Sequence, residues 1–247
     1  METASTSIMK KSFHDISTMY CWQDPLALRQ LAVKARSEMP AEAFLSIGGS
    51  SEQKIQEALV GSTFLSVFGR LVSPVLGRMA KINEEALDME VIGSDGTISS
   101  FEITAAYAPG YRIRQEYKGG NRPEIPQSAF TGKPISAEWI ASPILNKTEK
   151  IRGKGIRRHL LVYNNIYGGT TDLWRLPQLL GNAQNDWDSI WLIAGVPDFG
   201  WLALVANSVG LNVSMFDEEG CRNVMPTFWS YWIDRSGLRI FGQSSIG

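Results

Sequence analysis

Residues 86–105 constrain the fold of this chain most, because their side chains alternate with period two. Residues 88–91 and 101–104 each place apolar and acidic or polar side chains in turn, which is the pattern of a half-buried strand. Ser94, Asp95 and Gly96 lie between the two runs and are typical turn residues. The segment therefore predicts two antiparallel strands joined by a hairpin turn.

The length of the turn decides which side chains share a face. A three-residue loop with Gly96 in the left-handed conformation pairs Gly93 with Thr97, and therefore Asp88 with Glu102. A two-residue loop would instead split the acids between two faces. We predict the three-residue loop. The side chains that then share one face are Asp88, Glu90, Glu102 and Thr104.

Acidic side chains opposite each other on a sheet repel, so something must offset their charge. Solvent on an outer face is the structural interpretation. A divalent cation held by carboxylate oxygens, or a proton shared between them, is the functional one.

Composition indicates one globular domain over residues 1–247, with a flexible tail at 1–12. The net charge is −1, from 24 basic and 25 acidic residues, so global charge gives no support for nucleic-acid binding. Cys21 and Cys221 are far apart in the sequence, which argues against a zinc finger and suits reduced thiols in a cytoplasmic protein. Neither a signal peptide nor a membrane span is expected. A homodimer is left open.

The remaining pattern predicts an α/β fold, with a mixed sheet and helices on its faces. A strand, helix and strand at 159–167, 170–184 and 188–195 predict a parallel crossover. Residues 108–156 are predicted to be an irregular basic loop segment, with one or two helical turns at 136–142. Helices are also predicted at 24–38, 50–72, 76–85 and 200–208, a strand at 211–217, and a last hairpin within 227–242.

This arrangement resembles the PD-(D/E)XK nuclease superfamily, which has the restriction-endonuclease-like fold, over about residues 50–195. The resemblance implies a core of helix, three antiparallel-type strands, helix and strand. Asp88 matches the first acid of the motif, and Glu102-Ile103-Thr104 matches the (D/E)XK triplet. Thr104 stands where the family has a lysine. Either another basic side chain replaces that lysine, or a metal and a polar group suffice, or the chemistry has been lost.

The resemblance also implies a site. Asp88 and Glu102 would hold Mg²⁺, for which Mn²⁺ can substitute, with Glu90 and a helix glutamate, Glu52 or Glu57, as further ligands. Asp88, Glu102 and Thr104 form the predicted catalytic set, with Lys118 as the replacement cation. The residues predicted to contact nucleic acid are Arg112, Arg114, Lys150, Arg152, Lys154, Arg157 and Arg158, although 147–158 also suits a solvated loop.

Three functions follow as hypotheses. The first is a metal-dependent nuclease or phosphodiesterase that acts on nucleic acid. The second is a catalytically inactive, nuclease-like binding or regulatory module. The third is an unrelated α/β ligand-binding protein, which would use a crevice near Asn164, Asn165 and Asp198, because strand ends of α/β sheets often point into such crevices.

Overall fold

An eight-stranded mixed sheet organises the protein. The computed structural model describes residues 17–38, 50–73, 75–81, 87–108, 136–154, 158–166, 172–195, 198–208, 227–234 and 237–241. The helices are α1 (Pro25–Glu38), α2 (Ser50–Leu71), α3 (Ala137–Ile151) and the short α4 (Leu176–Leu180). The strands are β1 (Val75–Met79), β2 (Met89–Gly93), β3 (Ile98–Ala106), β4 (His159–Asn164), β5 (Ser189–Ala194), β6 (Phe199–Asn207), β7 (Thr227–Asp234) and β8 (Gly237–Phe241).

The eight strands lie side by side in the order of the sequence. β3, β4 and β5 are parallel, and all the other neighbouring pairs are antiparallel. The parallel centre follows from helical crossovers, since α3 connects β3 to β4 and α4 lies between β4 and β5. The predicted mixed α/β fold is confirmed, and so is the parallel crossover between β4 and β5.

Two hydrophobic cores lie on opposite faces of this sheet. On one face, α1 and α2 cover Phe101, Leu161 and other residues of the strands. On the other face, α3 and α4 cover Leu160 and Val162. Successive residues of β4 thus enter different cores, as the strand pleat requires. The molecule has three layers, with the sheet between two layers of helices.

The first two helices form where the sequence predicts them. Asp24 caps α1, because its Oδ1 accepts hydrogen bonds from Leu26 N at 2.9 Å and Ala27 N at 3.3 Å. Pro25 occupies the first helical position, where it needs no hydrogen-bond donor. No helix in the described part of the chain is long and apolar enough to cross a membrane.

Two predicted helices are wrong. Residues 75–79 form strand β1 rather than the start of a helix, and residues 199–207 form strand β6. Short apolar runs do not distinguish a buried strand from a helix, and pairing with neighbouring strands decides the outcome. Gly77 allows α2 to pack closely on this strand, because a Cβ there would lie 2.3 Å from Leu65 Cδ1 of α2.

The basic segment 108–156 is more regular than predicted. Within it, α3 runs for 15 residues, with Pro143 in its interior. Its buried side chains include Ile140, Ile144 and Ile151, which repeat at helical spacing and face the sheet. Burial of this stripe outweighs the cost of the proline, so the helix continues through it. Residues 109–135 and the predicted strand at 211–217 lie outside the described residues.

Candidate active site

The hairpin between β2 and β3 has the predicted register. Gly96 has a φ of 80°, and its N–H donates to Gly93 O at 3.0 Å, as a type I turn followed by a left-handed residue requires. Gly93 N donates to Thr97 O at 2.9 Å. The ladder that follows runs as far as the pair of Met89 and Phe101, and Asp88 and Glu102 are the next residues beyond it on the two strands.

Asp88 directly precedes β2 and is fixed by the neighbouring strand. Its backbone N–H donates to Phe101 O at 3.2 Å, and its Oδ2 accepts from Ile103 N at 2.7 Å. One carboxylate oxygen is therefore held by β3. The other, Oδ1, lies 3.4 Å from Lys54 Nζ of α2.

Glu102 is a buried carboxylate in the middle of β3, only 3% exposed. Arg158 Nη1 donates to its Oε1 at 2.5 Å, and Lys147 Nζ donates to its Oε2 at 2.7 Å. Arg158, which directly precedes β4, is itself buried. Both carboxylate oxygens therefore have cationic partners, as a buried charge requires.

Lys147 extends from α3 towards the sheet and lies between two acids. Besides its hydrogen bond to Glu102, its Nζ is 3.8 Å from Asp88 Oδ2. Burial alone would lower the pKa of Lys147, but the charges of Asp88 and Glu102 outweigh burial and raise the pKa. The ammonium group therefore stays charged at neutral pH.

Glu57 of α2 lies on the other side of Asp88. Its Oε1 accepts from Gln53 Nε2 at 2.7 Å, and its Oε2 is 2.9 Å from Lys54 Nζ. Burial, followed by the charge of Asp88, raises the pKa of Glu57. Burial acts to lower the pKa of Lys54, but Glu57 and Asp88 together raise it.

These contacts join six charged side chains into one group, which we call the acid–lysine cluster. Its members are Lys54, Glu57, Asp88, Glu102, Lys147 and Arg158. Asp88 is central, because it contacts a lysine from each layer of helices: Lys54 on α2 and Lys147 on α3. The structure thus brings together three of the predicted acids, Glu57, Asp88 and Glu102.

Two other predicted site residues have different surroundings. Glu90 binds Arg78 of β1, whose Nε donates to Glu90 Oε2 at 2.6 Å and whose Nη2 also pairs with it. Thr104 is paired with Val162 in the ladder between β3 and β4, and is half-buried. Glu90 is therefore engaged with β1 rather than with the cluster. The side chain of Glu52 lies outside the described residues.

The basic residues predicted to contact nucleic acid fall into separate environments. Arg158 is buried, and its guanidinium contacts Glu102. Arg152 pairs with Asp186, with Nη2 and Oδ2 2.9 Å apart, while Lys150 and Lys154 are exposed. The remaining predicted basic residues lie outside the described residues: Arg112, Arg114, Lys118 and Arg157.

The alternative crevice is not assembled as one site. Asn164 Oδ1 accepts from Ile166 N at 3.2 Å, which is a local turn contact. Asp198 instead pairs with Arg29 of α1. Asn165 hydrogen-bonds to Tyr107, and burial raises the pKa of that phenol. These side chains serve separate contacts at the ends of the strands.

The cluster suits Mg²⁺ in the kind of ligand that it offers, because carboxylate oxygens are the preferred donors. As they stand, no three His, Cys, Asp or Glu side chains in the described part of the chain are placed to hold a metal. Glu57 Oε2 is buried and accepts no well-aligned hydrogen bond, although Lys54 Nζ is nearby. The residues therefore fit a divalent cation only where that cation takes the place of an ammonium group.

The contacts of Lys54 and Lys147 were not predicted from the sequence. A local signal exists for Lys54, since Lys54 and Glu57 stand three residues apart on a helix and such residues are neighbours. Lys147 has no such signal, because it is 45 positions from Glu102 and on another element. Only the packing of α3 against β3 brings the two together.

No protein-family model matches the sequence, and no curated protein is significantly similar to it. The geometry of the acid–lysine cluster is therefore the basis for inferring a function.

Proposed function

We propose that this protein is a metal-dependent phosphodiester hydrolase that acts on nucleic acid, with the acid–lysine cluster as its active site. The observation that carries the proposal is the position of Lys147, which contacts both Asp88 and Glu102. Thr104 cannot supply the positive charge that the nuclease motif requires. Lys147 supplies a charge of that kind from α3, beside the same two acids.

The order of the elements supports the same proposal. Helix α2 is followed by the antiparallel strands β1, β2 and β3, then by α3 and by β4, which is parallel to β3. The resemblance to restriction-endonuclease-like nucleases implies this sequence of elements, with the acids next to or within the second and third strands. An acid on the preceding helix, Glu57, also has a place in that scheme.

Each residue of the cluster would have its own role in the reaction. Glu57 and Asp88 would hold Mg²⁺, which when bound would supply an activated water and neutralise charge on the phosphate. Glu102 would hold Lys147 beside them. Lys147 stabilises the negative charge that develops on the phosphoryl oxygens. Arg158 holds Glu102 in place, and Ile103 N orients Asp88.

A nicking assay on supercoiled plasmid, with Mg²⁺ or Mn²⁺, tests the proposal. We expect Lys147→Met to slow nicking by roughly 10²–10³-fold, the usual effect of removing one group that stabilises transition-state charge. Lys34→Met, which removes an exposed lysine of α1, is the matched control and should nick like the wild type. Absence of metal-dependent nicking in the wild type, on plasmid and on single-stranded DNA and RNA, would refute the proposal.

One observation favours the second candidate, a nuclease-like module without activity. The three acids of the cluster are balanced by three cations, so the group is neutral without a metal. Such a network can have a purely structural role, in which it links α2, the sheet and α3. Isothermal titration separates the candidates, because an inactive module of this kind has no need to bind Mn²⁺ at the cluster.

A further inference from the structure

Lys54 bridges two acids of the cluster from different elements. Its Nζ lies 2.9 Å from Glu57 Oε2 and 3.4 Å from Asp88 Oδ1, so one ammonium group is shared by carboxylates from two elements. Its side chain is 13% exposed and that of Lys147 is 27% exposed, so the case for Lys54 depends on its contacts.

The two oxygens next to Lys54 Nζ are Glu57 Oε2 and Asp88 Oδ1. The other oxygen of each carboxylate accepts a hydrogen bond from a different donor. Gln53 holds Glu57 Oε1, and the Ile103 backbone N–H holds Asp88 Oδ2. Moving the Lys54 ammonium away would therefore leave two carboxylate oxygens directed at one position. One or two carboxylates, completed by water, are what Mg²⁺ commonly uses in proteins.

Glu102 differs, because both of its oxygens are already held. Arg158 binds Oε1 and Lys147 binds Oε2, at 2.5 and 2.7 Å. A cation that approached Glu102 first would have to break one of these two short contacts within the buried part of the cluster. The contacts of Lys54, at 2.9 and 3.4 Å, are longer than these and are therefore easier to exchange.

We propose that Lys54 is a built-in competitor of the metal: its ammonium group occupies the cation position between Glu57 and Asp88, and a divalent cation binds by displacing it. This inference rests on the proposed function for the identity of the ligand. It assigns Lys54 the role of setting the metal concentration at which the site fills, while Lys147 remains with Glu102.

Titration of Mn²⁺ into the purified protein, without nucleic acid, tests the inference. Lys54→Met changes the charge of the cluster from zero to −1 and leaves the cation position open. We expect the variant to bind Mn²⁺ about tenfold more tightly or better, as a nearby unit charge alters charged-state equilibria by about that factor. Lys34→Met, on the surface of α1, should bind like the wild type.

Further variants make the result specific. Lys54→Gln also removes the charge and should reproduce the gain if the methionine variant folds poorly. Adding Glu57→Gln to Lys54→Met should abolish the gain, because one of the two oxygens no longer carries charge. Mn²⁺ affinity that is unchanged or weaker in both neutral variants, or a gain that survives Glu57→Gln, would overturn the inference.

The two proposals fail separately. Tighter Mn²⁺ binding in Lys54→Met, without nicking by any variant, would support the competitor role and reject the hydrolase. Nicking that depends on Lys147, with Mn²⁺ affinity unaffected by Lys54, would support the hydrolase and reject the competitor role.

Discussion

At the scale of single residues, the pair of Arg158 and Glu102 has the clearest energetic consequence. Both side chains are buried, at 7% and 4% exposure, and the guanidinium contacts the carboxylate at 2.5 Å. A buried ion pair adds little net stability compared with an apolar pair. Removal of one partner, however, lowers the free energy of unfolding, because the other charge stays buried without its partner.

We therefore predict strong coupling between these two residues. Arg158→Met should lower the free energy of unfolding by about 3–5 kcal/mol, the usual cost of breaking a buried ion pair. The double variant Arg158→Met/Glu102→Gln should lose less than the sum of the single losses, by at least about 1 kcal/mol. Urea unfolding of the four proteins measures the coupling, and additive losses would contradict the prediction.

The residues of the site were predictable to the extent that their contacts are local. The predicted pairing of Asp88 with Glu102 came from a turn of three residues and the period of a strand, and the hairpin has the predicted register as far as Met89 and Phe101. Arg158 was predicted to contact nucleic acid, because it lies in a basic segment of the sequence. Its burial depends on a carboxylate 56 positions away, which no local pattern indicates.

At the scale of elements, α3 matters most, because it carries Lys147 to the sheet. The helix begins next to Asp172, which belongs to the segment before α4. Asp172 Oδ1 accepts from Ala137 N at 2.7 Å, and its Oδ2 accepts from Arg175 Nη1 at 2.7 Å. Burial would raise the pKa of Asp172, but these hydrogen bonds outweigh it and lower the pKa. A residue from another element thus does the work of an N-cap.

We predict that Asp172→Ala lowers the free energy of unfolding by about 1 kcal/mol, as loss of an N-cap acceptor usually does. Asp172→Asn keeps an oxygen that can accept from Ala137 N, so its free energy of unfolding should fall by less. Thermal unfolding of both variants, followed by circular dichroism, gives the comparison. Equal stability of the alanine variant and the wild type would show that the contact does not hold α3.

Elements were predictable where an end signal accompanied the apolar pattern. Asp24 and Pro25 mark the start of α1, and the structure begins that helix at Pro25. Strand β6 had no such signal, since its apolar run fits either type of element. Pairing with β5 and β7 makes it a strand. The helical turns predicted at 136–142 end before Pro143. In the structure α3 continues past Pro143, because the helix packs on the sheet.

At the scale of the whole molecule, the stability of the fold depends on pH through His159. The ring stacks on Phe101 with centroids 4.6 Å apart, and Nδ1 lies 2.7 Å from Ser189 Oγ. Burial lowers the pKa of His159 from its ordinary value of 6.5, and the charge of Asp188 opposes this only in part. Folding therefore favours the neutral ring.

The sign of the effect follows from proton binding. Between the lowered pKa and 6.5, the unfolded chain binds more protons at His159 than the folded one, so stability falls as pH falls through this range. We predict that the free energy of unfolding of the wild type, relative to His159→Gln, decreases as pH falls below 6.5. Urea unfolding between pH 5 and 8 measures this difference. A difference that is constant with pH would contradict the prediction.

The order of the strands has a consequence for how the chain assembles. Each described strand is hydrogen-bonded to the strand that follows it in the sequence, from β1 to β8. None of the described strands has to insert between two that are already paired. A chain emerging from the ribosome can therefore extend the sheet in one direction, and each new strand covers the open edge that the last one left.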